Sequence, residues 1–315
     1  MRPVKDLGVL RKRVYRLLKG DATYSDPSQL DLHVSLPRFY SGRHSISESI
    51  GEFLQFLTLT LPDTEIYLFG GILRDLALFG KKGFNSDIDL VVDGDWLSCQ
   101  KTLASLEATR NKFGGYRLWV EKWPVDIWNA QETWAIKEGL VEWKGVSSLL
   151  RTTVLNWDAI LMNWRSGAWI NDKRYLSALQ NRYLDIVLEE NPSPLGMTVR
   201  VFRHLCMKDA QKISTRAAAF LARSVETYTY SDLAQKEASS YGNVSIDENV
   251  YDFFSFLSGQ KYSDILHAYS RTEKLITSGA VSLPIRQFTL PFEIETEARG
   301  VQSSYDCATD PPKTQ

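Results

Sequence analysis

Asp87 and Asp89 are the residues of this 315-residue chain best placed to do chemistry. They stand two apart in Asp87-Ile88-Asp89-Leu90-Val91-Val92, and the apolar residues around them predict a strand over Asp87–Val92. Alternate strand residues face the same way, so both carboxylates aim into one space while Ile88, Leu90 and Val92 pack the sheet. Two negative charges that close repel each other unless a cation lies between them. Mg²⁺ suits this role, because it takes oxygen ligands and is commonly shared between carboxylates and substrate phosphates. Paired surface acids are common, so the pair needs company before it points to a metal.

That company is Gly70-Gly71, which follows the apolar strand Glu65–Phe69 and opens a helix over Ile72–Phe79. Glycines let backbone approach a bulky anion, and the amides at a helix N-terminus favour phosphate. Arg74, in the first helical turn, has two roles open to it: binding phosphate, or clamping an acid with Asp75 orienting it. A phosphate cradle followed by a strand with paired acids predicts transfer from an NTP to a hydroxyl. Such chemistry needs a held triphosphate, metal to neutralise charge and a positioned oxygen. Two ions about 3.5–4 Å apart call for a third carboxylate. Asp126, in the apolar strand Val125-Asp126-Ile127-Trp128, is the first candidate, and Glu121 on the preceding strand the second. The expectation is spatial: the diglycine bend and the acids must face one cavity.

Gly70-Gly71-Ile72-Leu73-Arg74-Asp75 followed by Asp87-Ile88-Asp89-Leu90 resembles the head of the tRNA CCA-adding enzyme and bacterial poly(A) polymerase family, within the DNA polymerase β-like nucleotidyltransferase superfamily. Leu73 stands where that family's GGxVRD turn has Val. The resemblance implies Gly70 and Gly71 at the triphosphate, Asp87 and Asp89 on the metal ions, and a third acid from a later strand, which Asp126 matches by position. Downstream the likeness thins. Arg151-Thr152-Thr153-Val154-Leu155-Asn156 resembles the family's RDFTINA element in its Arg and Asn. Arg200-Val201-Phe202-Arg203 resembles its DPxRxxR helix without the Asp-Pro. This implies Arg151, Asn156, Arg200 and Arg203 near the nucleotide. A base-reading EDxxR motif is not found. The function expected is Mg²⁺-dependent transfer of NMP from an NTP with pyrophosphate release, with an RNA (tRNA) 3′ end as one acceptor. The alternatives are a small-molecule or protein acceptor, or an inactive nucleotide- or RNA-binding module.

The elements that must position these residues read as strand, helix, strand, helix, strand, strand: an α+β head with a small mixed sheet and flanking helices over residues 45–148. Ser45–Leu59 reads as a leading helix with Ser47 as N-cap, and Trp96–Thr109 as a later one. Tyr116–Glu121 and Val125–Trp128 read as two strands turning at Lys122-Trp123-Pro124. A mostly helical domain is expected over 149–294, with helical periodicity at Val154–Trp164, Met197–Val225, Tyr251–Ser258 and Tyr262–Ile276. Residues 295–315 read as a polar, disordered tail. The first 44 residues read as a basic helix and linker. Leu7, Leu10, Val14, Leu17 and Leu18 form one helical face among Lys and Arg, as in a solvated surface helix, an RNA-contacting helix or a transit peptide.

Formal net charge is −1, which excludes a generic polyanion binder and leaves RNA contact to local cations such as Lys81, Lys82, Arg110 and Lys112. Nine tryptophans are read first as packing, although one of Trp119, Trp123, Trp128, Trp134, Trp157, Trp164 or Trp169 could stack a base. Cys99, Cys206 and Cys307 lack CxxC spacing, which argues against disulfides or zinc and fits a reducing, cytoplasmic setting. No apolar run is long enough to span a bilayer.

Overall fold

A computed structural model describes residues 2–18, 49–84, 86–259, 293–295 and 307–308. The chain is α+β and divides into two compact units. The first comprises Met1–Thr153, Trp157–Gln180 and Tyr305–Gln315, and the second Val154–Asn156 and Asn181–Ser304. In chain order the first unit contributes α1 (Leu7–Leu18), α2 (Ile50–Thr60), β1 (Thr64–Phe69), α3 (Gly71–Leu78), β2 (Ile88–Gly94), α4 (Trp96–Ser105), β3 (Thr109–Arg110), β4 (Tyr116–Val120), β5 (Trp123–Asn129), α5 (Trp134–Lys137), β6 (Ile160–Asn163), β7 (Trp169–Asp172) and α6 (Tyr175–Gln180). The second contributes β8 (Tyr183–Leu184), α7 (Pro194–Met207), β9 (Lys212–Ser214), α8 (Thr215–Thr227), α9 (Tyr230–Tyr241), α10 (Glu248–Gly259) and β10 (Glu293–Glu295). Strand β11 (Cys307–Ala308) belongs to the first unit's sheet.

That sheet has the order β11-β7-β6-β1-β2-β5-β4-β3. β2 and β5 run parallel, and every other neighbouring pair is antiparallel. The central strands are apolar on both faces, which is why they sit in the middle. One face carries Ile66, Leu68, Leu90, Val92, Val125 and Ile127, all buried. On the other, Tyr67, Val91 and Leu161 join Ala130, Leu149, Leu150 and Ala159 in a cluster flanked by Phe69 and Trp128. Fully burying side chains of this size contributes about 1.5–3 kcal/mol each. Helix α2 starts where the Ser49 hydroxyl accepts from the Glu52 amide at 3.2 Å, and it buries Ile50, Phe53, Leu54 and Leu57. The expected N-cap, Ser47, lies outside the described residues.

The basic helix α1 is docked rather than solvated. Leu10, Val14, Tyr15 and Leu18 are buried. Arg13 donates to the carbonyls of Leu76 and Ala77 at the C-terminal end of α3, at 2.7 and 3.1 Å, and Arg11 donates to that of Gly167 at 2.7 Å. These two charges therefore serve packing: Arg13 meets the carbonyls at a helix C-terminus, which attract a cation, and Arg11 the β6–β7 connection.

The helix expected over Val154–Trp164 is instead a 3-10 turn, Asn156–Asp158, followed by β6, whose four residues are all buried. β6 pairs with β1, so the sheet extends past residue 148 and Trp157–Gln180 packs with the first unit. The periodic stretch Met197–Val225 divides into α7 and α8 around β9. Helix α4 ends at Ser105, and the β4–β5 turn falls at Glu121-Lys122, with Glu121 at φ 52°. In the second unit β8, β9 and β10 form a small parallel sheet beside α7–α10. The helix expected over Tyr262–Ile276 lies outside the described residues. So does most of 295–315, where Cys307–Ala308 pair with β7. No helix among the described residues is long and apolar enough to cross a membrane.

Leu161 tests the reassignment of β6. Leu161→Ala should lower unfolding stability by about 2–5 kcal/mol in urea titration, as for a buried strand residue. A change within about 0.5 kcal/mol would place Leu161 on a surface instead.

Candidate active site

One row of residues crosses four strands. Phe69 on β1 pairs with Asp89 on β2, Asp89 with Asp126 on β5, and Asp126 with Arg117 on β4. Cross-strand partners share a face, so the two acids expected to work together stand side by side. Asp87 precedes Asp89 by two residues. The reason for this orientation is the alternation itself: Ile88 and Leu90, and Val125 and Ile127, are fully buried, which turns Asp89 and Asp126 to the opposite face. One pleat further along that face lies buried Val91, inside the apolar cluster. The acids therefore emerge where the apolar cover ends.

The diglycine bend meets this row at its edge. Gly70 has φ 61° and ψ −114°, a conformation that a side chain would strain. The bend is forced because the Gly70 amide still donates to Ile160 of β6, at 3.1 Å, while its carbonyl already receives Arg74 of α3, at 3.0 Å. At Gly71 a Cβ would lie 3.4 Å from the Cβ of Ser86, the residue just before Asp87. The bend, the first turn of α3 and the acids thus occupy one region of the first unit.

Arg117 was not singled out by the sequence. It donates from Nε to Asp126 Oδ1 at 2.7 Å, and from Nη2 to both Asp126 Oδ2 and Asp87 Oδ2, the latter at 2.8 Å. Burial pushes the Asp87 carboxyl above its ordinary range against the downward pull of Arg117, and the charge of Asp126 adds to the rise. Arg117 itself is held more firmly protonated than usual, chiefly by its bond to Asp126.

Arg74 takes the second of its two roles. It is 7% exposed and donates to Asp75 at 2.8 Å and to Asp158. Burial works against its charge, yet Asp158 and Asp75 together hold it above its ordinary value. Asp158 is also buried, and Tyr175 lies beside the pair with its phenol pushed up by burial and then by Asp158. Arg74 thus fixes the first turn of α3 from within.

The other expected residues each have local surroundings of their own. Arg151 is exposed and donates to the Glu142 carbonyl at 3.2 Å. Glu121 is exposed at the tip of the β4–β5 turn. In the second unit, the Asn156 amide accepts from Asp185 N at 3.0 Å and donates to the Tyr183 carbonyl at 3.2 Å. Arg203 is bonded to Glu237, Asn243 and Ser245 and lies 4.0 Å over the Tyr241 ring. Arg200 is exposed on α7.

Among the described residues, no three or more His, Cys, Asp or Glu side chains are gathered as a metal cage. Arg117 donates to both oxygens of Asp126, the acid expected as the third carboxylate. Asp87 and Asp89 do fit a single Mg²⁺ whose remaining ligands are water and phosphate oxygens. A separate cleft of about 440 Å³ is lined by Arg110, Lys112, Phe113, Trp134 and Lys137, and includes none of the three acids.

No protein-family model matches the chain, and no curated protein matches it. Solved structures do. A CCA-adding enzyme with CTP is similar at 18% identity and a TM-score of 0.47, over 72% of this chain and 58% of that one. A CCA-adding enzyme with ATP gives 18%, 0.45, 65% and 51%. A tRNA nucleotidyltransferase complexed with a primer tRNA and an incoming ATP analog gives 17%, 0.42, 71% and 60%. This chain thus spans between half and three fifths of the length of each.

Removing Asp158 should leave Arg74 buried with one acid where it had two. Asp158→Ala is expected to cost about 3 kcal/mol of stability in chemical denaturation. Gly70→Ala should cost about 1–3 kcal/mol through backbone strain. Arg151→Ala, on the surface, should change stability by no more than about 0.5 kcal/mol; a loss at Arg151 equal to that at Asp158 would refute the division of roles drawn here.

Proposed function

We propose that this chain is a Mg²⁺-dependent nucleotidyltransferase that moves NMP from an NTP to an acceptor hydroxyl. The observation that carries the proposal is the meeting of the diglycine bend with Asp87 and Asp89 in one region of the first unit. The bend, with the N-terminal amides of α3, would hold the triphosphate. Asp87 and Asp89 would hold Mg²⁺ against it. The ion, when bound, neutralises phosphate charge and stabilises the departing pyrophosphate. The acceptor oxygen would attack the α-phosphorus: a new P–O bond forms as the bond from the α-phosphorus to the α–β bridging oxygen breaks, pyrophosphate leaves, and the hydroxyl's proton passes to solvent water. The protein's own share is positioning: buried Arg74 fixes the turn that meets the phosphates, and buried Ile88 and Leu90 fix the direction of the acids.

An RNA 3′ end is the acceptor we favour. The cleft sets Arg110, Lys112 and Lys137 against Glu132 and Glu138, an excess of one cation for phosphates, and Phe113, 48% exposed with Lys112 over its ring at 4.9 Å, offers an aromatic surface for a base. Lys81 and Lys82 add exposed positive charge at the end of α3.

Purified full chain incubated with Mg²⁺, each labelled NTP in turn, and total RNA, protein lysate or small-molecule hydroxyls should transfer label to RNA. Asp87→Asn with Asp89→Asn should reduce transfer and pyrophosphate release by about 10³-fold or more with an unchanged thermal melt. Equal pyrophosphate release by the wild type and this double variant would remove the metal-site reading, and label on protein or small molecule would replace the RNA acceptor.

A further inference from the structure

The row of charges across β2, β5 and β4 has a property that the proposed chemistry does not use. Three carboxylates, Asp87, Asp89 and Asp126, crowd one end of the sheet, and the chain supplies a cation of its own among them. Arg117 binds Asp126 through two nitrogens, in the planar fork that matches a carboxylate, and reaches Asp87 with one of them. It is the cross-strand partner of Asp126, so the β4–β5 hairpin fixes its position. Its hold differs on the two sides. Asp126 is 19% exposed and bonded twice, while Asp87 is 47% exposed and bonded once. The strong end of the clamp is on Asp126 and the exchangeable end is on Asp87, one of the two residues assigned to Mg²⁺.

Resting on the nucleotidyltransferase reading, we infer that Arg117 is a built-in counter-ion of the acid site, which competes with a divalent ion for Asp87 while keeping Asp126 permanently engaged. Two consequences follow from the geometry. Without nucleotide the site is already neutralised in part, so a divalent ion gains less by entering. With nucleotide, the triphosphate brings its own negative charge and its own ligands for the ion, and Asp87 is worth more to the ion than to a half-exposed guanidinium. Arg117 thus makes stable ion occupancy depend on the triphosphate. It is a positioning residue, acting through Asp87 and Asp126.

The test is Mn²⁺ titration of the full chain, read by electron paramagnetic resonance, with and without a non-hydrolysable α,β-methylene NTP. Wild type, Arg117→Gln, Arg117→Lys and the Asp87→Asn plus Asp89→Asn variant are compared, each checked by thermal melt. Without nucleotide, Arg117→Gln should bind Mn²⁺ about three- to fivefold more tightly than wild type. Arg117→Lys, which keeps the charge and loses the fork, should fall between them. With nucleotide the difference should shrink to under about 1.5-fold. Should Arg117→Gln fail to fold, Arg117→Lys decides the matter alone. Unchanged or weaker Mn²⁺ binding by the folded Arg117 variants, with binding lost in the double Asp variant, overturns the counter-ion role and leaves the metal site standing. Wild-type Mn²⁺ binding by the double Asp variant overturns the metal site itself.

Discussion

Carboxylates at neighbouring positions of adjacent strands cannot all remain ionised without positive charge among them. Asp89 and Asp126 are such neighbours, and Asp87 is one pleat away. The sheet cannot avoid the conflict by rotating a strand, because Ile88, Leu90, Val125 and Ile127 would then leave the core. Apolar burial on one face therefore forces electrostatic strain on the other. The fold meets it by placing the acids where the apolar cover ends, and by setting Arg117 opposite Asp126.

A second arginine solves a different problem. The chain must leave β1, still paired with β6, and enter α3 within a single residue, Gly70. Arg74 in the first turn of α3 is bonded to Asp158, which precedes β6, and a Cβ on Gly70 would lie 3.8 Å from the Cβ of Asp158. One buried ion pair thus ties the start of the helix to the strand that holds the bend. The bend's shape depends on residues 84 positions apart.

The sequence shows what depends on local pattern and hides what depends on register. The β1–α3–β2 unit was legible because its apolar residues alternate or recur and its glycines fall at the joint. Asp126 stood out as an acid in an apolar strand. Arg117 did not, because its partnership follows from a turn at Glu121-Lys122, one residue earlier than the pattern around Pro124 suggested. β6 is not legible as a strand because Ile160-Leu161-Met162 is buried on both sides, and a short apolar run fits helix and strand equally. Asp158 and the burial of Arg74 arise from long-range packing. Asn156 and Arg203 had the motif's residue types, yet the fold engages Asn156 with backbone and Arg203 with Glu237.

The two arginines show how burial decides whether an ion pair is structure or switch. Arg74 and Asp158 have side chains 8% and 11% exposed, so neither can regain water if the other leaves. Breaking such a pair by removing one partner costs several kcal/mol. Arg117 and Asp87 are 48% and 47% exposed. Water replaces either partner readily, and a pair of this kind contributes about 0–1 kcal/mol. An ion that binds Asp87 with its full charge, and a triphosphate that shares that ion, can displace a contact so weak. The same guanidinium–carboxylate chemistry is therefore buried and fixed at Arg74 and half-exposed and exchangeable at Arg117, as the proposed admission and release of a charged substrate would require.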